Sequence, residues 1–302
     1  MITTDPHAYA AAVTALPATG APTMRAALLV DPSGLRVSEQ SATDNRYMVV
    51  GTPIDRERAR RQWDDVAATL RACGVPVLAF PGVEGQDDGV YPNNVFATIP
   101  GRLVVGAMKH PVRRKEAERA DIRGCLSAFG YAVHDLSGLD GVAELTGVLA
   151  VDRARRTAVC GRSPRVDEAG VAAMHRALDL RTTLVTPLVE GEYHLNLVLA
   201  VLAGRAAVCW DEGFVDSGVP RALATVWPGA VLHLSTAEKA AFAGNCIAVT
   251  PDAVMLSVTA WDALCPAAKA WFPRHGFAVH PVAVDELEKG GGSLRCLIAE
   301  LF

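Results

Sequence analysis

Short apolar segments that recur at intervals of about fifty residues constrain the fold of this chain more than any other feature. Four segments indicate two strands joined by a tight polar turn, and a fifth, Cys296–Phe302, begins at the C-terminus and stops. The four are Asn94–Val105, Gly147–Cys160, Asn196–Cys209 and Cys246–Ser257. A helix-like stretch and then a single apolar strand follow the strand pairs. The pattern predicts a strand–strand–helix–strand unit repeated about five times, as in repeat proteins.

The unit begun by Cys296–Phe302 is incomplete, and Ala26–Val30 with the stretch Arg46–Gly51 could complete it. That pairing would close the array into a ring without an open strand edge. A doubly wound α/β sheet also alternates strands and helices, but it lacks a hairpin in every unit. The sequence also has no GxGxxG or P-loop motif.

We therefore expect a single α/β domain over residues 26–302, preceded by a loosely packed lead-in over residues 1–25. Its helices are predicted at Arg56–Cys73, Arg114–Phe129, Val166–Leu178, Val219–Val226 and Pro266–Arg274.

Charge and composition exclude several classes of protein. A net charge of −4 argues against nucleic acid as a partner, and we interpret the basic runs Arg113–Lys115 and Arg153–Arg156 as a helix start and a solvated turn. No stretch approaches the ~20 apolar residues of a membrane span. The seven cysteines show no close pairing, which favours a reducing, cytoplasmic environment. Without CxxC or HxxxH spacing, neither a metal nor another cofactor is expected.

Cys296 is the strongest candidate for a catalytic residue. It follows a run of three glycines, Gly290–Gly292, which allows the backbone to approach a ligand closely. A nucleophilic thiol needs access and a lowered pKa, and such a loop can provide both. The alternative is a small buried apolar side chain, which accounts for most of the other cysteines.

Polar residues at the start of the other strand pairs supply further candidates. His194 could act as a general acid and base, although a lone histidine is more often structural. Glu144 and Asp88 could hold a planar cation through bidentate hydrogen bonds. Asp88 precedes a glycine and could equally be a turn residue, and the same ambiguity applies to Asn93 and Asn94.

Seven segments, in order along nearly the whole chain, resemble one enzyme superfamily. They are Ser38–Tyr47, Asp88–Thr98, Glu144–Gly147, Gly161–Arg165, Tyr193–Asn196, Gly244–Cys246 and Glu288–Glu300. With the five repeated units, they resemble the pentein, or guanidino-group-modifying, superfamily, and within it the arginine-deiminase-related citrulline-utilisation hydrolases, in an amidinotransferase-like family. The chain departs from these relatives at Val95, where they tend to have tryptophan, and at Asp31 and Leu35–Val37.

The resemblance implies a five-bladed α/β propeller and a role for individual residues. Cys296 would be the nucleophile, His194 the general acid and base, and Glu144 the carboxylate that binds the substrate and orients the histidine. The remaining matched positions would line the substrate pocket: Asp88, Asn93, Asn94, Arg162, Asn245 and Gly292.

The implied activity is hydrolysis of a C–N bond in a guanidino or ureido amino acid, such as arginine or citrulline, through a covalent thiouronium-type intermediate. Ammonia would be released, with ornithine and CO2 if both nitrogens leave. An amidinotransferase that resolves the intermediate with an amine is the alternative, followed by a non-catalytic binding protein of the same fold. A homodimer could form through the apolar strand Leu197–Leu202 or the N-terminal segment.

Overall fold

Three-stranded sheets repeat along the chain in the computed structural model, which describes residues 1–302. The strands are β1 Ile2–Thr3, β2 Ala26–Val30, β3 Val77–Phe80, β4 Phe96–Ile99, β5 Arg102–Val105, β6 Ala132–Asp135, β7 Leu149–Asp152, β8 Thr157–Arg162, β9 Thr182–Pro187, β10 Leu199–Leu202, β11 Ala206–Cys209, β12 Val231–His233, β13 Ile247–Ala248, β14 Ala253–Ser257, β15 Ala278–Val282 and β16 Ala299–Leu301.

The five sheets share one pattern of pairing, and the fold is of the α/β class. Two strands run antiparallel, and a third, reached through a helix, runs parallel to the second. The sheets are β16–β2–β3, β4–β5–β6, β7–β8–β9, β10–β11–β12 and β13–β14–β15, with β1 added beside β9. The C-terminal β16 pairs with the N-terminal β2, placing Ala299 opposite Leu28, as the incomplete fifth segment predicts. First strands of different sheets also contact one another, β16 with β4, β7 with β10, and β10 with β13.

Helices connect the second and third strands of the sheets. The α-helices are α1 Pro6–Thr14, α2 Glu39–Ala42, α3 Arg56–Ala72, α4 Pro111–Ala117, α5 Ala120–Ala128, α6 Leu145–Val148, α7 Glu168–Ala177, α8 Gly218–Val226, α9 Thr236–Ala240, α10 Val258–Ala263, α11 Pro266–Arg274 and α12 Asp285–Glu288. Short 3-10 turns lie at Pro32–Gly34, Pro92–Asn94, Leu195–Leu197, Asp211–Gly213 and Leu294–Leu297. None of the helices combines the length and the apolar character that crossing a membrane would require.

The longest helix, α3, shows how the sequence produces these elements. Asp55 accepts a hydrogen bond from the backbone N–H of Arg58 and caps its start. Trp63, Val66 and Leu70 lie on its buried face. Gly74, at a φ of 81°, follows its end.

Three segments differ from the sequence-based expectation. The helix predicted over Arg114–Phe129 is divided into α4 and α5, because the backbone of Arg119 is not helical, with a ψ of 94°, and its guanidinium donates to the carbonyl of Pro81. Arg46–Gly51 forms no strand, and Val77–Phe80 supplies the third strand of its sheet. The lead-in is packed, since β1 pairs with β9 and α1 contacts α8 with Tyr9 buried.

The strand Leu197–Leu202 is not available as a surface for another subunit. Its leucine side chains are buried inside the chain. Its apolar character is therefore explained by the core of this chain alone.

Hydrogen bonds made by side chains at the start of the strand pairs tie neighbouring units together. Asn93 Nδ2 donates to the carbonyl of Thr146 at 3.3 Å, and Thr146 Oγ1 donates back to the carbonyl of Asn93 at 2.7 Å. Asn196 Nδ2 donates to the same Thr146 carbonyl at 3.1 Å, and Asn245 Nδ2 donates to the carbonyl of Asn196 at 2.9 Å. The backbone N–H of Arg295 donates to Asn245 Oδ1 at 3.0 Å. We call these five residues the amide belt.

Candidate active site

Short helical turns lie just before the first strands of the sheets and carry most of the candidate side chains. Asn94 ends the turn before β4, Glu144 immediately precedes α6 before β7, and His194 precedes the turn before β10. Cys296 lies within the turn before β16. Residues far apart in the chain therefore occupy equivalent positions and come together beside the amide belt.

A small cavity, with a volume of about 10 Å³, contains the candidate nucleophile. Its lining residues are Ser41, Asn45, Met48, Asp88, Tyr91, Asn94, Arg113, Arg165, Tyr193, His194, Gly290, Gly292 and Cys296. Five of the residues predicted from the sequence are thus brought together: Asp88, Asn94, His194, Gly292 and Cys296.

The other four predicted residues lie outside this lining. Asn93 and Asn245 are buried in the amide belt, and Glu144 is fully buried behind His194. Arg162 lies at the end of β8 with a half-exposed side chain, and its nearest acidic partner is Glu168 at 3.8 Å. Arg162 is therefore not among the residues that line the cavity.

The orientation of His194 is determined by Glu144. His194 Nε2 lies 2.8 Å from Glu144 Oε2. Since a carboxylate can only accept, the ring proton is on Nε2 and Nδ1 carries a lone pair. Nδ1 is buried and has no hydrogen-bond partner. Burial lowers the pKa of His194 to about 4, although the Glu144 carboxylate opposes this shift, so the ring is a neutral base near pH 7.

Arg165 keeps Glu144 ionised inside the protein. Burial alone would raise the pKa of Glu144, but the Arg165 guanidinium, 3.0 Å away, and the hydrogen bond from His194 bring it below the ordinary value. Arg165 also contacts Asp44 at 2.6 Å, and Lys109 contacts Asp44 at 2.5 Å. The positive charges of Arg165 and Lys109 balance the negative charges of Glu144 and Asp44. Because Glu144 also accepts from the backbone N–H of Lys109, its oxygens are already occupied, which is compatible with orienting His194.

Asp88 is the carboxylate that faces the cavity with an unused oxygen. Its Oδ2 accepts from the hydroxyl of Ser41 and lies 3.7 Å from Arg113 Nε, whereas Oδ1 is buried without a partner. Burial raises the pKa of Asp88 despite these favourable contacts. Arg113 is shared with Glu116, which it contacts at 2.7 Å, and burial raises the pKa of Glu116 to about 7. Two carboxylates thus share one guanidinium.

The thiol of Cys296 is buried among hydrogen-bond donors. Burial raises the pKa of Cys296, and a hydrogen bond from Asn245 partly opposes the shift. The glycine run lets the chain bend around this residue, since Gly291 has a φ of 78°. The free protein therefore holds a thiol that is mostly protonated near pH 7, beside a neutral imidazole.

Several residues of the site are not distinguished by sequence reasoning. Arg113, interpreted as part of a helix start, is buried and lines the cavity. Asp44, Arg165 and Tyr193 lie inside the segments that carry the resemblance, but nothing in their spacing marks them as partners of the site. Their contacts join segments more than a hundred residues apart, as in the ion pair between Asp44 and Arg165.

The repeated sheets and the cavity with its cysteine and histidine define the class of protein. The five sheets with one pairing pattern, and the cysteine and histidine in one cavity, are those expected of the pentein superfamily of guanidino-group-modifying enzymes. A family model described as N,N dimethylarginine dimethylhydrolase, eukaryotic, matches residues 31–302, and the chain belongs to this family. Whether citrulline-utilisation hydrolases are nearer relatives stays a prediction.

Individual relatives agree with this placement. The chain is 26% identical over 259 residues to the N(G),N(G)-dimethylarginine dimethylaminohydrolase of Mycobacterium tuberculosis, covering 85% of this chain and 80% of that one. The N-terminal domain of ArgZ, a cyanobacterial arginine dihydrolase, bound to product, matches with a TM-score of 0.80 at 22% identity, over 93% of this chain and 98% of that one. A dimethylarginine dimethylaminohydrolase adduct with S-methyl-L-thiocitrulline matches with a TM-score of 0.72 at 19% identity, over 92% and 100%. At these identities the structures establish the fold.

Gly147 supports the ring of His194, and its replacement tests the geometry. A Cβ atom there would lie 2.7 Å from His194 Cε1, so Gly147→Ala should displace the imidazole. We expect kcat to fall by about 100-fold, the cost of a displaced general base, with a smaller change in KM. Steady-state kinetics would measure this. Gly124→Ala, where a Cβ meets nothing within 4 Å, is the control, and unchanged kcat in Gly147→Ala would contradict the placement.

The protonation states predict how the reactivity of Cys296 depends on pH. Since the pKa of Cys296 is raised, its alkylation by iodoacetamide should accelerate about tenfold per pH unit from pH 6 to 9 without a plateau. Because the pKa of His194 is about 4, no inflection should occur near pH 6.5. Mass spectrometry of the Cys296 peptide gives the rates, with exposed Cys265 as a control for the reagent. A plateau below pH 8 would mean that the free protein already holds a thiolate.

Proposed function

We propose that this protein hydrolyses a C–N bond in the guanidinium group of an arginine-like amino acid through a covalent intermediate on Cys296. The observation that carries the proposal is one cavity in which Asp88 Oδ1 and His194 Nδ1 are both buried without partners beside the Cys296 thiol. Unpaired buried polar atoms are costly unless a ligand satisfies them. Both atoms are acceptors, so a group with several N–H donors, such as a guanidinium, would satisfy both.

Charge favours a guanidinium over a neutral ureido group. The charges of the ions around Arg165 sum to zero. By contrast, two carboxylates, Asp88 and Glu116, share the single guanidinium of Arg113, which leaves a surplus of negative charge. Burial raises the pKa of both carboxyl groups, and the neighbouring Asp88 carboxylate adds to the rise in the pKa of Glu116. A guanidinium that donates to Asp88 Oδ1 would remove the surplus and leave a charge-assisted hydrogen bond.

The same cation favours attack by sulfur. A positive charge beside Cys296 stabilises the thiolate, so binding of substrate activates the nucleophile. The thiol proton passes to His194 Nδ1 as Sγ bonds to the guanidinium carbon, and Glu144 stabilises the resulting imidazolium. His194 then protonates the leaving nitrogen, its C–N bond breaks, and the amine departs.

Water completes the reaction. His194 Nδ1 accepts a proton from water as the oxygen bonds to the thiouronium carbon. The C–S bond then breaks, the proton on His194 returns to Sγ, and the remaining hydroxyl proton passes to the released amine. The products are a ureido compound and an amine, so that one water is consumed for each C–N bond that is broken.

The relatives support arginine derivatives as the first substrates to test. The Mycobacterium tuberculosis relative is named for dimethylarginine and ArgZ for arginine. We infer that an N-methylated arginine, releasing a methylamine, or arginine itself, releasing ammonia, is the substrate. We also infer that the five sheets close into a five-bladed propeller over residues 26–302, on the basis of the β16–β2 pairing and the contacts between first strands.

Release of amine from a substrate panel tests the activity. The panel contains arginine, mono- and dimethylarginines, agmatine and citrulline, with ammonia and methylamines quantified for the wild type and Cys296→Ala. We expect release from at least one guanidino compound and a loss of more than about 1,000-fold in Cys296→Ala, because the nucleophile is absent.

Folding and trapping controls make that result decisive. Cys246→Ala, which removes a neighbouring buried thiol, should retain turnover and a similar circular dichroism spectrum. Release that persists in Cys296→Ala would contradict the nucleophile, and transfer of the amidino group to added glycine would indicate an amidinotransferase.

Asp88→Asn tests the recognition of charge. The variant keeps the size of the side chain but removes its charge, so kcat/KM for the cationic substrate should fall by about 10- to 100-fold. Binding of the neutral ureido product, measured by calorimetry, should change much less. Equal losses of affinity for the cationic substrate and the neutral product would show that Asp88 does not recognise the charge of the substrate. Asp64→Asn, on the exposed face of α3, is the matched control.

A further inference from the structure

We propose that the side-chain amides of Asn196 and Asn245 form a donor cradle that holds the Cys296 sulfur and stabilises its thiolate form when the thiol loses its proton. The two asparagines act as positioning residues for the nucleophile. The role of the cradle in catalysis rests on the proposed function, whereas its stabilisation of the Cys296 thiolate does not.

Both amides direct an N–H group at the sulfur. Asn245 Nδ2 lies 3.4 Å from Cys296 Sγ, and Asn196 Nδ2 lies 3.6 Å from it. An amide nitrogen has two hydrogens. Asn245 donates one to the carbonyl of Asn196, and Asn196 donates one to the carbonyl of Thr146. Each amide therefore uses one hydrogen in the belt and has the other available for the sulfur.

The belt also fixes which end of each amide faces the sulfur. Asn245 Oδ1 accepts from the backbone N–H of Arg295 at 3.0 Å, so this amide cannot turn over without losing that bond. The carbonyl of Thr146 can only accept, so it requires Nδ2 of Asn196 on its side. The donors are thus oriented before any substrate binds.

No other side chain hydrogen-bonds to the sulfur. The side chains that hydrogen-bond to Sγ are those of Asn196 and Asn245, and all three residues are buried. The backbone of Ser293 also hydrogen-bonds to Sγ and favours its ionised form. His194 is neutral and shares its proton with Glu144. In this buried setting, two fixed N–H dipoles stabilise negative charge on sulfur more than they would in water. The same donors would stabilise the thiolate when it leaves the intermediate.

The pH dependence of Cys296 alkylation in the absence of substrate tests the cradle. Asn245→Leu and Asn196→Leu each remove one donor, and the alkylation profile should move upward by about one pH unit, or tenfold less thiolate at a given pH. Asn93→Leu is the matched control, because Asn93 donates to the same Thr146 carbonyl but does not contact the sulfur. The alkylation profile of Asn93→Leu should coincide with that of the wild type, even if this variant is destabilised as much as the other two.

The outcomes separate the cradle from a purely structural belt. A shift in both sulfur-contacting variants but not in Asn93→Leu supports the proposal, whereas wild-type profiles in folded Asn196→Leu and Asn245→Leu overturn it. If the leucine variants do not fold, Asn245→Asp retains size and the acceptor for Arg295. It should shift the profile further upward because a carboxylate would face the sulfur, and an unshifted profile would also overturn the cradle. Since no substrate is used, a failure of the proposed activity would appear only in the amine-release panel.

Discussion

The amide belt is the interaction on which the rest of the structure depends. Thr146, Asn196 and Asn245 connect the starts of successive strand pairs through hydrogen bonds that leave few alternatives for their side chains. An asparagine suits this position because its amide donates twice and accepts at a fixed angle. The belt fixes the spacing between units, and that spacing determines where Glu144, His194 and Cys296 lie. A site built from such distant residues is only as accurate as the belt that joins their units.

A second constraint is electrostatic. Glu144 is entirely buried, and a lone carboxylate there would be protonated. Arg165 prevents this, and Asp44 and Lys109 hold Arg165 in turn. The consequence is chemical, because an ionised Glu144 selects the His194 tautomer whose free nitrogen faces the cavity. The unbalanced carboxylates around Arg113 leave Asp88 as the group that a cation would satisfy.

Prediction from the sequence succeeds where residues are periodic. Helix α3 is recognisable from its cap at Asp55 and its terminal Gly74, and the recurring hairpins predict the strand order of each sheet, including the pairing of β16 with β2. It fails where one long-range contact decides the outcome. Arg119 ends one helix and donates to the Pro81 carbonyl, and Arg113, in a basic run, is buried beside Asp88 of a distant segment.

The sequence by itself determined the repeated α/β unit, the family, and the cysteine, histidine and acidic residues that define the chemistry, because periodic apolar residues and chemically distinctive side chains are local features. Only the tertiary structure decided which atoms of these residues are free to react. Glu144 is occupied by Arg165 and His194, whereas Asp88 Oδ1 and His194 Nδ1 are unpaired. The physical reason is that protonation, tautomer and hydrogen-bond saturation depend on burial and on partners far away in the chain. Those partners are neighbours only after folding.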